Sequence, residues 1–244
     1  MTGVQTCALP IFYLNDGKGH ITEVPWTGGT FLEADGQPLG GPPLDWGLTA
    51  TFRDLNQDGW PDLYVCNDLG SPDRIWLNDG RGGFRALPRT HLRKTSWFSM
   101  GVDFGDLNRD GIDDFFVTDM LSRSRVQRQV EAIAKTPDAE PFSGIDARPQ
   151  TARNTLFAGL GGTRFAEIAW WAGLEASDWS WSPVFLDVDL DGYEDVLITA
   201  GHGRDDMDWD KGAMLETARR SRRLTPAELL DLRKALPQIG RAHV

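Results

Sequence analysis

The sequence has few of the residues on which many enzymes and secreted scaffolds depend. Among 244 residues there are only two cysteines and four histidines. It contains no HExxH helix, no phosphate-binding glycine loop and no serine-histidine-aspartate order in a recognisable motif context. No uninterrupted apolar run approaches the roughly 20 residues of a membrane-spanning helix. These shortages exclude a cysteine-rich metal site and give no support to the common hydrolase classes.

The two ends of the chain resemble translated sequencing adapter. They read MTGVQTCALPI and IGRAHV, and a DNA sequence that encodes IGRAHV has a reverse complement that encodes QTCALPI in a shifted frame. We therefore expect residues 1–11 and 239–244 to be adapter-derived and residues 12–238 to be the natural segment. Cys7 then falls outside the natural segment. Cys66 is left as a lone cysteine, which we expect to be a small buried hydrophobe.

Negative charge is in excess and is concentrated in three short stretches. The chain has 25 basic and 36 acidic residues, a formal net charge of −11. Residues 54–62, 106–114 and 187–195 carry charges of −3, −3 and −5, which together equal the net charge of the chain. This balance disfavours a general nucleic-acid binder. It also indicates sites where divalent cations would relieve local repulsion.

These stretches are three copies of one motif: DLNQDGWPDLYV, DLNRDGIDDFFV and DVDLDGYEDVLI. Oxygen-bearing side chains stand at positions one, three, five and nine, and glycine at position six allows a sharp turn. Calcium takes six to eight oxygen ligands, whereas magnesium requires a stricter octahedron and keeps its waters. The motif therefore predicts about three calcium ions, one per loop. The predicted side-chain ligands are Asp54, Asn56, Asp58 and Asp62; Asp106, Asn108, Asp110 and Asp114; and Asp187, Asp189, Asp191 and Asp195. The predicted backbone carbonyl ligands, at position seven, are those of Trp60, Ile112 and Tyr193.

The motif has two other interpretations. An EF-hand needs a bidentate glutamate at position twelve and flanking helices. Here position twelve is Val65, Val117 or Ile198, inside runs typical of strands, so the EF-hand is disfavoured. Acidic turns that hold no metal are the second alternative, and three matching copies make it the weaker one.

A second repeat predicts hairpins. FYLNDGKGHITEV, IWLNDGRGGFRAL and LFAGLGGTRFAEI begin at residues 12, 75 and 156, and each places a glycine-rich turn between two short strand-like runs. In all three, an aromatic residue is followed eight residues later by an apolar one, which predicts a single register. With a strand on each side of every acidic loop, the unit has four antiparallel strands and a period near 50 residues. That unit describes a propeller blade.

The expected fold is therefore all-β: a partial β-propeller of four-stranded antiparallel blades with calcium loops, plus helical insertions. We assign the propeller to residues 12–201, with a helical insertion at about 121–150. An acidic loop and helices are predicted in residues 202–238, where Thr225, Pro226 and Glu228 have the order of a capped helix start. About three blades and part of another are present, so we expect an open arc of blades with an unpaired blade at either side, and not a closed ring.

The motifs DLNQDGWPDLYVCND, IWLNDGRGGF and RNTLFAGLGGTRFAEI resemble FG-GAP and VCBS repeats, found in integrin α-subunit propellers and in bacterial extracellular proteins. They are also similar to bacterial proteins that carry an ASPIC/UnbV domain and to cartilage acidic protein. The resemblance covers most of residues 12–201. It implies a calcium-stabilised propeller that is secreted, periplasmic or exposed at the cell surface and is often adhesive.

The leading functional hypothesis is a non-catalytic calcium-binding structural and interaction module, with an unknown protein or carbohydrate ligand. The alternative is the propeller platform of a polysaccharide-degrading enzyme, although the well-spaced acids are already assigned to calcium and no catalytic residue is predicted. Recognition through tryptophans is a third possibility. Trp170 adjoins Trp171, and Trp179 alternates with Trp181, so at least one of each pair is expected to face outward.

Overall fold

The fold is built almost entirely from short antiparallel strands. A computed structural model describes residues 11–131, 148–202, 208–221 and 225–234. None of the helices in these described ranges is long and apolar enough to cross a membrane. Residues 1–10 and 239–244 of the adapter-like ends, most of the insertion at 121–150, and residues 203–207, 222–224 and 235–238 of the predicted acidic loop and helices lie outside the described residues.

The described elements have the following bounds. The strands are β1 (Phe12–Asn15), β2 (Ile21–Val24), β3 (Phe31–Leu32), β4 (Gly47–Arg53), β5 (Asp62–Asn67), β6 (Arg74–Asn78), β7 (Phe84–Ala86), β8 (Thr95–Ser96), β9 (Gly101–Gly105), β10 (Asp114–Thr118), β11 (Gln150–Thr151), β12 (Thr155–Gly159), β13 (Phe165–Glu167), β14 (Ser180–Leu186) and β15 (Asp195–Ala200). The helices are α1 (Gln127–Val130), α2 (Ala169–Ala172), α3 (Trp209–Ser221) and α4 (Pro226–Lys234).

Two sheets are complete blades. In blade 2 the order is β9-β10-β12-β13, and every neighbouring pair is antiparallel. Blade 1 has the same arrangement in β4-β5-β6-β7, with β3 added parallel to the outer edge of β7. The all-β propeller-like fold predicted from the repeats is confirmed. The fifth strand of blade 1 is an addition that the four-strand repeat did not predict.

The hairpin repeat has the single register that its spacing predicts. Tyr13 is opposite Glu23 in the β1-β2 pair, and Trp76 is opposite Ala86 in the β6-β7 pair. In the β12-β13 pair, Phe157 is opposite Glu167. In each case the aromatic residue pairs with the residue ten positions later, so the equal sequence spacing fixes equal geometry.

Three apolar cores lie between successive sheets. The largest joins blade 1 to blade 2, where Tyr64 packs against Phe104 and Phe115 with ring centroids 5.9 and 5.4 Å apart. A second core lies between β1-β2 and blade 1 around Phe31 and Trp76. The third core lies between blade 2 and β14-β15 and contains Phe116, Leu156 and Phe185. Cys66 is fully buried in the largest core, as predicted.

The outermost elements are two-stranded sheets. We call β1-β2 the first hairpin and β14-β15 the last hairpin, and they belong to separate sheets. In the last hairpin, β14 alternates buried and exposed residues, whereas in the first hairpin Val24 is buried, Phe12 is half-buried and the other strand residues are exposed. Leu14 and Leu197 are more than half exposed. In the described residues the sheets form the expected open arc, but its outer elements are two-stranded and not the complete blades that were expected there.

The helical predictions are met in part. Helix α1 is a short piece of the insertion, and α3 lies in the region 202–238 where helices are predicted. At the start of α4, the Thr225 amide donates to Glu228 Oε2 at 2.9 Å and the Glu228 amide donates to Thr225 Oγ1 at 3.3 Å. This reciprocal pair is the predicted capping box.

Candidate metal centre

The three acidic loops occupy one equivalent place in the fold. Residues 54–62 join β4 to β5, residues 106–114 join β9 to β10, and residues 187–195 join β14 to β15. Each loop therefore connects the first two strands of a blade. All twelve predicted side-chain ligands therefore lie in loops between the first and second strands of a blade.

The first aspartate of each loop accepts the backbone hydrogen bonds that close the turn. Its carboxylate accepts hydrogen bonds from the amides of the fifth and sixth residues, and the fifth residue in turn accepts the amide of the seventh. For residues 54–62 these distances are 3.1, 2.8 and 2.9 Å. They are 3.0, 2.8 and 2.8 Å for residues 106–114, and 3.1, 2.9 and 2.8 Å for residues 187–195. The three loops thus have one conformation.

The backbone explains the glycine at position six. Gly59, Gly111 and Gly192 have φ values of 90°, 81° and 91°, in the left-handed region that favours glycine. A Cβ atom on Gly111 would meet nothing within 4 Å, so glycine is required there by the backbone angle and not by lack of space. Position four is also left-handed, with φ values near 60° at Gln57, Arg109 and Leu190.

The aspartate at position nine ties its loop to the third strand of the blade. In blade 1, Asp62 Oδ2 accepts the Leu55 amide at 2.9 Å, and Oδ1 accepts the Asn78 amide at 2.8 Å. In blade 2, Asp114 does the same with the amides of Leu107 and Gly159, at 3.1 and 2.9 Å. The ninth position therefore has a structural role in addition to its predicted role as a ligand.

Burial changes the acidity of these two aspartates. Desolvation raises the pKa of Asp62 to about 6, although the amides that it accepts act in the opposite direction. Desolvation also raises the pKa of Asp114, against the amides of Gly159 and Leu107. In both loops the other carboxylates nearby add to the rise. A divalent cation in the loop would favour the ionised forms.

The loop of the last hairpin brings three carboxylates together. One oxygen each from Asp187, Asp189 and Asp195 lies within 4.8 Å of the others. In the other two loops the third position is Asn56 or Asn108, whose amide Nδ2 donates to the fifth-position aspartate at 2.9 Å. All three donor sets are oxygen-only, which fits a hard cation such as calcium. The carbonyl ligands predicted at Trp60, Ile112 and Tyr193 stay predictions.

Contacts between neighbouring loops were missed by the sequence reasoning. Gln57 Nε2 donates to the Gly111 carbonyl at 2.5 Å, and the guanidinium of Arg109 lies 5.2 Å from the ring centroid of Tyr193. Arg53 forms a two-pronged ion pair with Asp113 in the next loop, with Nη2 to Oδ1 at 2.7 Å. Gln57 and Arg109 stand at the variable position four, which a single-loop pattern treats as a spacer.

Fold and loops together define the class: a repeat protein of propeller-like blades whose acidic loops have the oxygen donors of a cation site. Residues 54–117 match the family model of an FG-GAP-like repeat. The match runs from the first aspartate of one acidic loop to the strand after the next loop, and it supports an FG-GAP repeat family. No curated protein matches the chain.

Proposed function

We propose that this chain is a calcium-binding, non-catalytic interaction module that works outside the cell. The supporting observation is that three loops share one hydrogen-bond pattern and one pair of left-handed residues, with only oxygen donors in each. A cation at each loop would link the first two strands of a blade and stabilise the pair. FG-GAP repeats suggest an interaction or adhesion-like role for the blades.

Calcium affinity in this class of site favours an extracellular location. Extracellular calcium modules bind with dissociation constants of about 10⁻⁴ to 10⁻³ M. Such loops would be filled outside the cell and largely empty in the cytosol. The ion would then act as a permanent stabiliser and not as a signal.

The test is thermal unfolding of the full chain with calcium and with a chelator. At about 10 mM calcium and a dissociation constant near 10⁻³ M, each occupied site adds about 1.4 kcal/mol. Three sites would raise the Tm by roughly 5 to 15 °C. Magnesium at the same concentration should raise it less. A Tm that is the same in calcium and in chelator would contradict the proposal.

Calorimetric titration supplies the matched variant. The wild-type chain should bind about three calcium ions, and Asp187→Ala should bind about two. Asp35→Ala is the control, because Asp35 is exposed, also accepts a turn amide, and lies outside the acidic loops. A stoichiometry that falls equally in both variants would show that the loops are not the sites.

Exposed tryptophans support a protein or carbohydrate partner. Trp170 and Trp171 of α2 are 59% and 87% exposed, as expected for at least one of that pair. Arg128 and Arg153 lie 5.9 and 5.7 Å from the Trp170 ring centroid, which holds this ring in place. If this surface binds sugar, insoluble chitin or cellulose should deplete the wild-type chain from solution more than Trp171→Ala. Equal depletion would exclude Trp171 from sugar binding.

A further inference from the structure

Basic side chains are concentrated in one turn of this acidic chain. Residues 88–94 read PRTHLRK and lie between β7 and β8. The turn contains two arginines and a lysine and no acidic residue, while the whole chain has a formal net charge of −11. A positively charged turn in such a chain creates a local potential that attracts anions.

The turn borders a cavity of about 390 Å³, which we call the arginine pocket. Its lining residues are Arg89, Thr90 and Arg93 from the turn, together with Arg148 and Pro149 just before β11. In the part of the chain that the structure describes, no carboxylate lines this pocket. Three guanidinium groups therefore border one space, whose volume is at the small end of the range of about 300 to 1,000 Å³ for ligand pockets.

Arg148 supplies a fixed positive charge to the arginine pocket. It is 5% exposed, and its Nη2 donates to the Leu87 carbonyl at 2.7 Å while Nη1 donates to the Asp73 carbonyl at 3.2 Å. Both acceptors are neutral, so these bonds orient the guanidinium without cancelling its charge. The carboxyl of Asp73 is fully buried, accepts the Tyr64 hydroxyl at 2.7 Å and does not line the pocket. Because arginine stays protonated in proteins, the charge of Arg148 is permanent.

The turn itself is held firmly in place. Leu87 and Leu92 flank its centre, are each 1% exposed and lie in the largest core. The His91 amide donates to the Pro88 carbonyl at 2.9 Å, and His91 Nδ1 lies 2.5 Å from Thr163 Oγ1 in the β12-β13 turn. The backbone that carries the exposed arginines is therefore anchored to both blades.

Glu167, an acid that contacts the turn, is bound by other cations. Its Oε1 accepts Nη1 of Arg153 at 3.0 Å, and its Oε2 lies 3.8 Å from Nζ of Lys94. Arg93 is exposed, and no carboxylate among the described residues forms an ion pair with it. An anion that enters the pocket would therefore meet a guanidinium whose charge no described acid neutralises.

We propose that the arginine pocket binds the sulfate or phosphate group of a small ligand. Arg89 and Arg93 each present a planar fork of N–H donors that matches two oxygens of such a group. The Thr90 hydroxyl donates to a further oxygen, and Arg148 holds positive charge behind it. Donors on several sides favour a tetrahedral group with three free oxygens over a carboxylate, which has two.

Volume and net charge restrict what carries this group. A pocket of about 390 Å³ leaves room beside one sulfate for a small carrier such as a monosaccharide. The net charge of −11 repels long polyanions, so the ligand is a small molecule and not a nucleic acid. The pocket contains none of the predicted calcium ligands, so it stands or fails separately from calcium binding.

The first test is a titration of the full chain with inorganic sulfate, followed by NMR at an ionic strength kept constant with sodium chloride. The amide signals of Arg89, Thr90 and Arg93 should shift together and saturate with a dissociation constant of about 1 to 10 mM. Glucose 6-sulfate and glucose 6-phosphate should shift the same signals, and their affinities show which ester the pocket prefers. Acetate should bind about fivefold more weakly or worse. Shifts that do not saturate, or acetate binding as tight as sulfate binding, would overturn the proposal.

The second test uses variants of Arg93, whose exposed side chain can be changed without loss of the fold. Arg93→Gln should weaken sulfate binding about tenfold, and Arg93→Lys, which keeps the charge but not the fork, about threefold. Arg81→Gln is the matched control, because Arg81 is also exposed, lies in the β6-β7 turn and does not line the pocket. It should bind sulfate within about twofold of wild type. Wild-type affinity in Arg93→Gln, or equal weakening by Arg81→Gln, would show that the pocket is not the site.

Discussion

The acidic loops of blade 2 and of the last hairpin have the same conformation but different surroundings. In both, the first aspartate accepts the fifth and sixth amides at 2.8 to 3.1 Å. Asp114 is nevertheless buried and bonded to the third strand, whereas Asp195 is exposed. The loop conformation is therefore encoded locally, and the environment of the ninth residue depends on the rest of the blade.

The largest difference is expected from removing the ninth carboxylate in each loop. Asp114→Ala leaves the amides of Leu107 and Gly159 without their acceptor beside the core. This should cost roughly 2 to 5 kcal/mol of unfolding free energy. Asp195→Ala exposes one amide to water and should cost less than about 1 kcal/mol. Urea unfolding in chelator measures the structural role apart from any bound ion.

Equal losses in these two variants would contradict the comparison, because they would show that both carboxylates act only within their loops. Asp35→Ala serves as the control, since Asp35 accepts a turn amide at an exposed position. It should change the unfolding free energy by less than about 1 kcal/mol.

Local features of the fold could be predicted from the sequence. The position-six glycines correspond to left-handed backbone, and the spacing of Tyr13 from Ile21 gave the hairpin register that is observed. These features depend on residues within one turn or one hairpin. Calcium binding itself stays a prediction that rests on the donor set.

Contacts between residues far apart in the chain could not be predicted from the sequence. The β3 strand pairs in parallel with β7 through Phe31 and Phe84, and no repeat in the sequence marks Phe31 as a strand residue. The contact of Gln57 with the Gly111 carbonyl joins residues 54 positions apart. Such contacts depend on how neighbouring sheets pack, which a pattern within one repeat does not contain.

The second prediction concerns a buried acid that blade 2 has and the last hairpin lacks. Burial raises the pKa of Asp119 to about 7, against the amides of Phe98, Met120 and Trp97 that it accepts. The equivalent position in the last hairpin is Ala200. The folded pKa exceeds the unfolded value of about 3.9, so the protonated carboxyl stabilises the fold below about pH 4. This contribution is lost as the pH rises through about 7.

From pH 5 to pH 8 the loss through Asp119 should be roughly 2 to 3 kcal/mol. Asp119→Asn should remove that part of the pH dependence when urea unfolding is measured at both values in chelator. Asp35→Asn should keep the wild-type dependence. If Asp119→Asn shows the full wild-type change between the two pH values, the assignment to Asp119 is wrong.

The third prediction separates backbone angle from space at position six. Gly111→Ala should cost about 1 to 2 kcal/mol, because the added Cβ meets no atom but the φ of 81° is strained for alanine. Gly212→Ala in α3 is the control, since its Cβ also meets nothing and alanine favours a helix. It should be neutral or stabilising by up to about 1 kcal/mol in the same thermal unfolding assay. A destabilising Gly212→Ala would remove the basis of this comparison.

The smallest effect is expected at position four, where the loops touch one another. Gln57 and Arg109 contact the next loop, whereas Leu190 in the last hairpin is 85% exposed. All three have φ near 60°, so alanine at each position keeps a similar backbone strain. Gln57→Ala and Arg109→Ala should each cost about 0.5 to 1 kcal/mol, and Leu190→Ala should stay within about 0.5 kcal/mol of wild type. Urea unfolding of the three variants measures these differences, and equal losses at all three positions would contradict a role for the contacts between loops.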